Sequence, residues 1–126
     1  MAKRKRVKQR PEAGWLGKVL TRRSRGKCEL CDGNDGNRPF ELVPFPEEPE
    51  LERTLLACAR CREWLEKESI DPIQAHFLGS AVWADEPAVR LAAARLLHAN
   101  DGMDNPWVRD TLESIGFDVE SQELSF

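Results

Sequence analysis

The chain has 126 residues and a mass of 14.3 kDa; 40% of it is apolar and 33% charged. That is enough apolar material for one small core, which argues against wholesale disorder, and no run approaches the ~20 apolar residues of a membrane span. The net charge of −3 conceals a polarised chain: residues 1–27 carry eleven bases against the single acid Glu12, a net +10, whereas the remainder carries eight bases and 21 acids, a net −13.

Residues 1–10, MAKRKRVKQR, read as a disordered, solvated basic tail, because like charges repel and few apolar side chains oppose them. No apolar stretch follows, so the start does not read as a secretion signal, and a cytoplasmic location is expected. A first helix is expected from about Pro11 to Arg25, with Gly26 as its stop. Trp15 with Val19 and Leu16 with Leu20 make an apolar stripe, and Lys18, Arg22 and Arg25 recur beside it as a cationic one. The run from Cys28 to Gly33 is a tight turn. Phe40–Val43 alternates as a short strand, Pro44, Pro46 and Pro49 make a loop, and Arg53–Ala57 is the return strand. Cys58 opens a helix to about Lys67.

Three further helices are marked by their ends. Asp71-Pro72 starts one that Gly79 ends, with Ile73 and Phe77 on its inner face. Asp85-Glu86-Pro87 starts another, to about His98, with Val89, Ala92, Ala93, Leu96 and Leu97 inside and Asn100 and Gly102 at its close. Asn105-Pro106 starts the last, with Val108, Leu112 and Ile115 on one face and Gly116 past its end. Trp15, Trp64, Trp83 and Trp107 are expected in the core, tying the helices to what precedes them. Asp118–Phe126 is an acidic tail without a clear element. The expected organisation is therefore a tail over 1–10, a basic helix with a cysteine module over 11–68, a helical region over 69–117 and an acidic tail over 118–126.

The cysteines carry the strongest chemical signal. Cys28-x2-Cys31 and Cys58-x2-Cys61 are separated by 26 residues, and no cysteine is left over. Each short turn supplies two thiolates, and together they complete a tetrahedral Zn²⁺ shell. Four sulfurs leave no position for water, so the expected zinc is structural. With the first pair on a knuckle and the second at a helix start, the order suggests a treble clef. The expected fold class is α+β: a four-cysteine, treble-clef-like zinc module of knuckle, β-hairpin and helix, followed by a small helical bundle. Lys27, Arg60 and Arg62 are placed to offset the thiolate charge.

That scaffold also resembles HNH nucleases, which use a histidine base on the hairpin. Here the strand reads Phe40-Glu-Leu-Val-Pro44, without histidine. His76 reads as a partly buried structural residue and His98 as a surface residue near a helix end. Glu41 stands alone as a carboxylate candidate, and no phosphate loop or nucleophile elbow is present. No catalytic residue is assigned. The basic arm says more: Lys3, Arg4, Lys5, Arg6, Lys8 and Arg10, with Lys18, Arg22 and Arg25, suit a phosphate backbone. The expected function is a structural-zinc protein that associates with nucleic acid or ribonucleoprotein. The alternatives are a degenerate HNH-like nuclease and a protein-interaction adaptor using the acidic helical half.

Several segments resemble the PhnA-like proteins, a bacterial family named after the alkylphosphonate utilisation operon. They are Gly26-Lys-Cys-Glu-Leu-Cys31, Glu41-Leu-Val-Pro44, Leu56-Ala-Cys-Ala-Arg-Cys61 and Trp83-Ala-Asp-Glu-Pro-Ala-Val89 followed by Leu96-Leu97-His98. Leu16-Gly17-Lys18 with Arg22-Arg23 is similar as well, so the likeness covers about residues 14–115. The resemblance implies a zinc-binding N-terminal module and assigns no catalytic residue; the family's name adds a hydrolase of phosphonate metabolism to the alternatives. The chain departs from the family pattern at His76-Phe77-Leu78-Gly79.

Overall fold

The computed structural model describes residues 16–71, 76–101 and 104–125. The expected helix start over 11–15, the basic tail, Trp15, Pro72, Ile73 and Gly102 lie outside the described residues. The described chain is α+β: five helices and two small antiparallel hairpins.

Helix α1 runs Gly17–Ser24 and ends on Arg25 and Gly26, both left-handed, at φ 59° and 78°. Leu16 and Leu20, four apart, pack with Leu56. Val19 is 40% exposed, so the expected stripe is narrower than drawn: Leu16 and Leu20 take the face that meets Leu56, and Val19 falls to its side. Lys18 and Arg22 are exposed on α1, as their i, i+4 spacing implies, and Arg25 is exposed just past its end, where the left-handed turn breaks the expected helical row.

Strand β1 is Arg38–Glu41 and β2 is Thr54–Ala57, paired antiparallel with Pro39 opposite Leu56 and Phe40 opposite Leu55. The expected strand over 40–43 is therefore shifted by two residues toward the N-terminus. A proline is tolerated at position 39 because its partner does not bond across the ladder. Leu56 N–H donates to Glu29 Oε1 (2.9 Å), and Leu56 C=O accepts from Glu29 N–H (2.8 Å). Leu42 continues the pairing through its N–H to Arg53 C=O (2.8 Å), and a 3-10 turn over Leu51–Arg53 leads into β2.

Helix α2 is Ala59–Lys67 with Cys58 as N-cap, and α3 is Leu78–Ala81. Gly79 thus lies inside α3 rather than ending a helix. Burial of Leu78, Ala81 and Val82 carries the helical turn through it, overriding glycine's local preference. Helix α4, Pro87–Asp101, is one turn longer than expected. It buries Leu91 and Ala94 besides the anticipated Val89, Ala92, Ala93, Leu96 and Leu97, and so runs through the centre of the core. Helix α5, Pro106–Ser114, is capped by Asn105, whose side chain accepts from Trp107 N–H (2.9 Å) and Val108 N–H (3.4 Å). Gly116 follows its end at φ 79°.

One apolar cluster joins both halves, from Cys28, Leu55 and Trp64 to Val89, Leu112 and Phe117. Only part of the tryptophan expectation holds. Trp64 is 9% exposed, but Trp83 and Trp107 are 55% and 51% exposed. The joining is done instead by Leu and Ala of α4, whose compact side chains let the helix sit close. Residues 117–124 form a second hairpin, β3 Phe117–Asp118 with β4 Glu123–Leu124. Among the described residues no helix is long and apolar enough to cross a membrane.

Candidate metal centre

The first cysteine pair sits on a knuckle whose backbone folds around sulfur. Cys28 N–H donates to Gly33 C=O (2.9 Å), Asp32 N–H to Cys28 C=O (2.8 Å), and Cys31 N–H points to Cys28 Sγ (3.5 Å). Asp32 takes φ 68°, which turns the chain back. At Gly33 a Cβ would lie 3.2 Å from Cys31 Sγ, so glycine gives the sulfur its room. Asn37 holds the knuckle from outside, its Nδ2 donating to Gly26 C=O (2.8 Å) and Gly33 C=O (3.0 Å). The second pair starts α2. Cys58 precedes the helix and Cys61 sits in its first turn, while Ala59 N–H donates back to Asp35 C=O (2.9 Å).

These two turns bring all four Sγ atoms within 4.8 Å of one another, with Cys31 and Cys58 sulfurs at 3.7 Å. A disulfide needs about 2.05 Å. The cysteines are free thiols, three of them buried and Cys31 half-buried. The quartet is a set that can hold a metal ion, as the spacing of Cys28, Cys31, Cys58 and Cys61 predicts. It is the one such group among the described residues.

The sulfurs' electrostatics favour a cation at their centre. Cys28 is pulled down to about 4, chiefly by the hydrogen bond it accepts from Cys61. Cys61, as that donor, is held above its ordinary value, and burial adds to this. Cys31 is pushed up to about 11 by burial and then by the charge on Cys28. Four sulfurs this close sustain one thiolate easily and further thiolates only against mutual repulsion. A divalent ion reverses that balance.

The flanking cations play unequal parts. Burial works against the charge on Arg60, but the negative charge that the sulfur cluster can carry beside it outweighs burial and raises the guanidinium's pKa. Arg60 also lies over Trp64 and Phe77, at 4.8 and 5.3 Å from their ring centres. Those rings are parallel, with centroids 6.0 Å apart. Arg62 bonds to backbone, donating to Gly36 C=O and Ala57 C=O, and Lys27 is 4.0 Å from Asp32. Of the three expected neighbours, then, Arg60 faces the sulfurs, while Arg62 serves the backbone around the knuckle.

The structure corrects both histidine expectations. His76 is exposed, its ring set edge-on to Phe77 (72°, 6.4 Å), because Phe77 takes the inner place. His98 is half-buried: the C-terminal hairpin covers it, with Phe117 6.0 Å away and Gln122 Nε2 3.5 Å from its Nδ1. Of the cationic set, Lys18 and Arg22 are exposed on α1 and Arg25 is exposed at its left-handed C-cap, and Lys3, Arg4, Lys5, Arg6, Lys8 and Arg10 lie outside the described residues.

Sequence reasoning missed Glu29, which lies between the two cysteines of the knuckle yet is turned into the fold. Its carboxylate accepts from Arg23 and from Leu56 N–H, tying α1 and β2 to the cysteine turn. An acid between two cysteines next to an arginine-bearing helix was the available hint. No family model, no curated protein and no solved structure matches the chain.

Proposed function

We propose that this protein is a zinc-stabilised binding module that associates with nucleic acid or ribonucleoprotein through its basic N-terminal part. The observation that carries the reading is the sulfur quartet. Zinc–sulfur bonds of about 2.3 Å imply tetrahedral S···S edges of about 3.8 Å. The Cys31–Cys58 separation of 3.7 Å fits that edge. Four sulfurs fill the shell, so the metal's work is to hold the knuckle, hairpin and α2 together, in treble-clef order, rather than to activate water. The same donor set also suits iron, so the metal must be identified directly. Elemental analysis of the denatured protein is expected to give one zinc per chain; iron, or no metal with four titratable thiols in the native protein, overturns the zinc assignment.

The partner follows from charge. Lys18 and Arg22 on α1 and Arg25 at its C-cap are exposed cations, and six further bases precede them in residues 3–10. Such a set neutralises phosphates and releases counterions. Labelled single-stranded RNA and duplex DNA, titrated at several salt concentrations, provide the test. A steep salt slope that flattens in an Arg22→Glu, Arg25→Glu variant supports the reading, and unchanged affinity removes it. Kinship with the PhnA-like proteins belongs to the same proposal and rests on the motif segments around Cys28–Cys31, Cys58–Cys61 and Trp83–Val89.

A further inference from the structure

The geometry points to a second recognition site, a groove that takes a short cationic peptide segment of a partner protein. The groove measures about 1110 Å³ and lies where the hairpin of β1 and β2 meets the helical half. Its walls come from β1 and the loop after it, the end of α2, the last turns of α4, and the C-terminal hairpin. Phe40, Leu42, Leu65 and Leu96 give it an apolar lining. Val43 and Phe45, each 56% exposed, extend that lining to the surface.

Charge selects the occupant. Glu41, Glu66 and Glu68 all line the groove. Among the described lining residues the one permanent cation is Arg95, and its guanidinium is already engaged. It donates to Gln122 C=O (2.9 Å), Val43 C=O (2.7 Å) and Glu123 (2.8 Å). An anionic ligand therefore meets the exposed carboxylates of Glu66 and Glu68 and, among the described lining residues, no disengaged arginine or lysine. A polyamine would satisfy the acids but leave the apolar lining wet. A segment that alternates large apolar and basic side chains satisfies both. The volume, about the upper end of the ~300–1000 Å³ usual for small-molecule pockets, has room for several peptide residues. The site is independent of the nucleic-acid reading, since no residue of α1 lines it and its exposed acids carry the opposite charge.

The test uses the full metal-loaded chain and a fluorescein-labelled heptapeptide, Lys-Leu-Arg-Phe-Arg-Leu-Lys, followed by anisotropy. Two controls isolate the terms: Lys-Ser-Arg-Ser-Arg-Ser-Lys lacks the apolar anchors, and Glu-Leu-Glu-Phe-Glu-Leu-Glu reverses the charge. The expected result is binding of the first peptide, at least about tenfold weaker binding of both controls, and weakening with added salt. The Glu66→Lys, Glu68→Lys variant, changed only at exposed positions, is expected to keep its circular dichroism and lose about tenfold in peptide affinity. Equal binding of the acidic peptide, or an unchanged affinity in that variant, overturns the proposal. So does a labelled RNA whose binding falls in the same variant, which would give the groove to polyanions. Self-association in sedimentation that the variant abolishes would assign the groove to a second copy's basic arm instead of a partner, and would equally overturn it.

Discussion

Arg23 on α1 and Glu29 inside the first cysteine turn face each other fork to fork. Arg23 Nε donates to one carboxylate oxygen at 2.7 Å and its terminal nitrogen to the other at 2.8 Å. The same guanidinium reaches Thr54 C=O (3.2 Å) and Glu86 (3.3 Å), and the same carboxylate receives Leu56 N–H. One ion pair therefore links α1, the knuckle, β2 and the start of α4. Glu29 raises the pKa of Arg23 by hydrogen bonding and Glu86 adds to this, against the cost of burial.

Breaking this pair from one side leaves the other charge stranded. Glu29→Gln is expected to destabilise the protein by about 2–3 kcal/mol, below the value for a fully buried pair because Arg23 keeps some solvent contact. Urea denaturation of the metal-loaded protein measures it. A loss under about 0.5 kcal/mol would mean that solvent replaces the pair and that the pair does not fasten the knuckle.

Metal removal should act locally first. Chelation under denaturing-free conditions is expected to release protection from hydrogen exchange across residues 28–68, because thiol repulsion replaces metal bonds there. Cys61→Ser should lose the metal as well, since Cys61 is fully buried among the other sulfurs. Full retention of exchange protection after complete metal loss contradicts a structural role.

One carboxylate of the C-terminal hairpin joins it to two arginines of the core. Glu123 receives Arg53 at 2.8 and 3.0 Å and Arg95 at 2.8 Å. Glu123→Gln is expected to cost about 1–2 kcal/mol, given the partial exposure of Glu123. Exchange should accelerate in residues 117–124 before it does in α4. Unaltered exchange there would show that Phe117 burial alone secures the hairpin.

The tryptophans offer a built-in contrast. Trp64→Ala removes a buried ring that joins α2 to Phe77 and is expected to cost about 3–5 kcal/mol. Trp83→Ser and Trp107→Ser remove half-exposed rings and should each cost less than half as much. Thermal melts of the three variants decide it, and equal losses would contradict the burial described here.

Asn105 tests the last helix by itself. Its side chain satisfies two otherwise orphaned N–H groups at the start of α5. Asn105→Ala is expected to lose about 1 kcal/mol, and Asn105→Ser to lose little. A similar loss in both would point away from capping.

Much of this molecule was legible in one dimension. The cysteine quartet was readable because each pair lies within a single turn of chain, so spacing alone nearly fixes its geometry. Helices α2 and α5 were readable from Cys58 and from Asn105-Pro106, since capping is decided within four residues. The body of α4 was readable from its apolar period, but not its final turn. The shift of β1 was not readable, because Pro39 is acceptable only where Leu56 bonds to Glu29 instead of across the ladder. Nor was the exposure of Trp83 and Trp107, because hydrophobicity states a preference for burial and not the space available.

The sequence by itself determined the donor set Cys28, Cys31, Cys58 and Cys61, the cations Lys18, Arg22 and Arg25 and the polarity between the chain's basic start and acidic body. Only the tertiary structure decided that Glu29 turns inward to Arg23, that Glu123 closes on Arg53 and Arg95, and that an acid-rimmed groove opens between hairpin and helices. Arg53 and Glu123 are 70 positions apart. Over such distances no local rule acts: an acid at the chain surface and an acid that fastens two arginines carry the same letter, and only the packing that removes water from around one of them makes the difference.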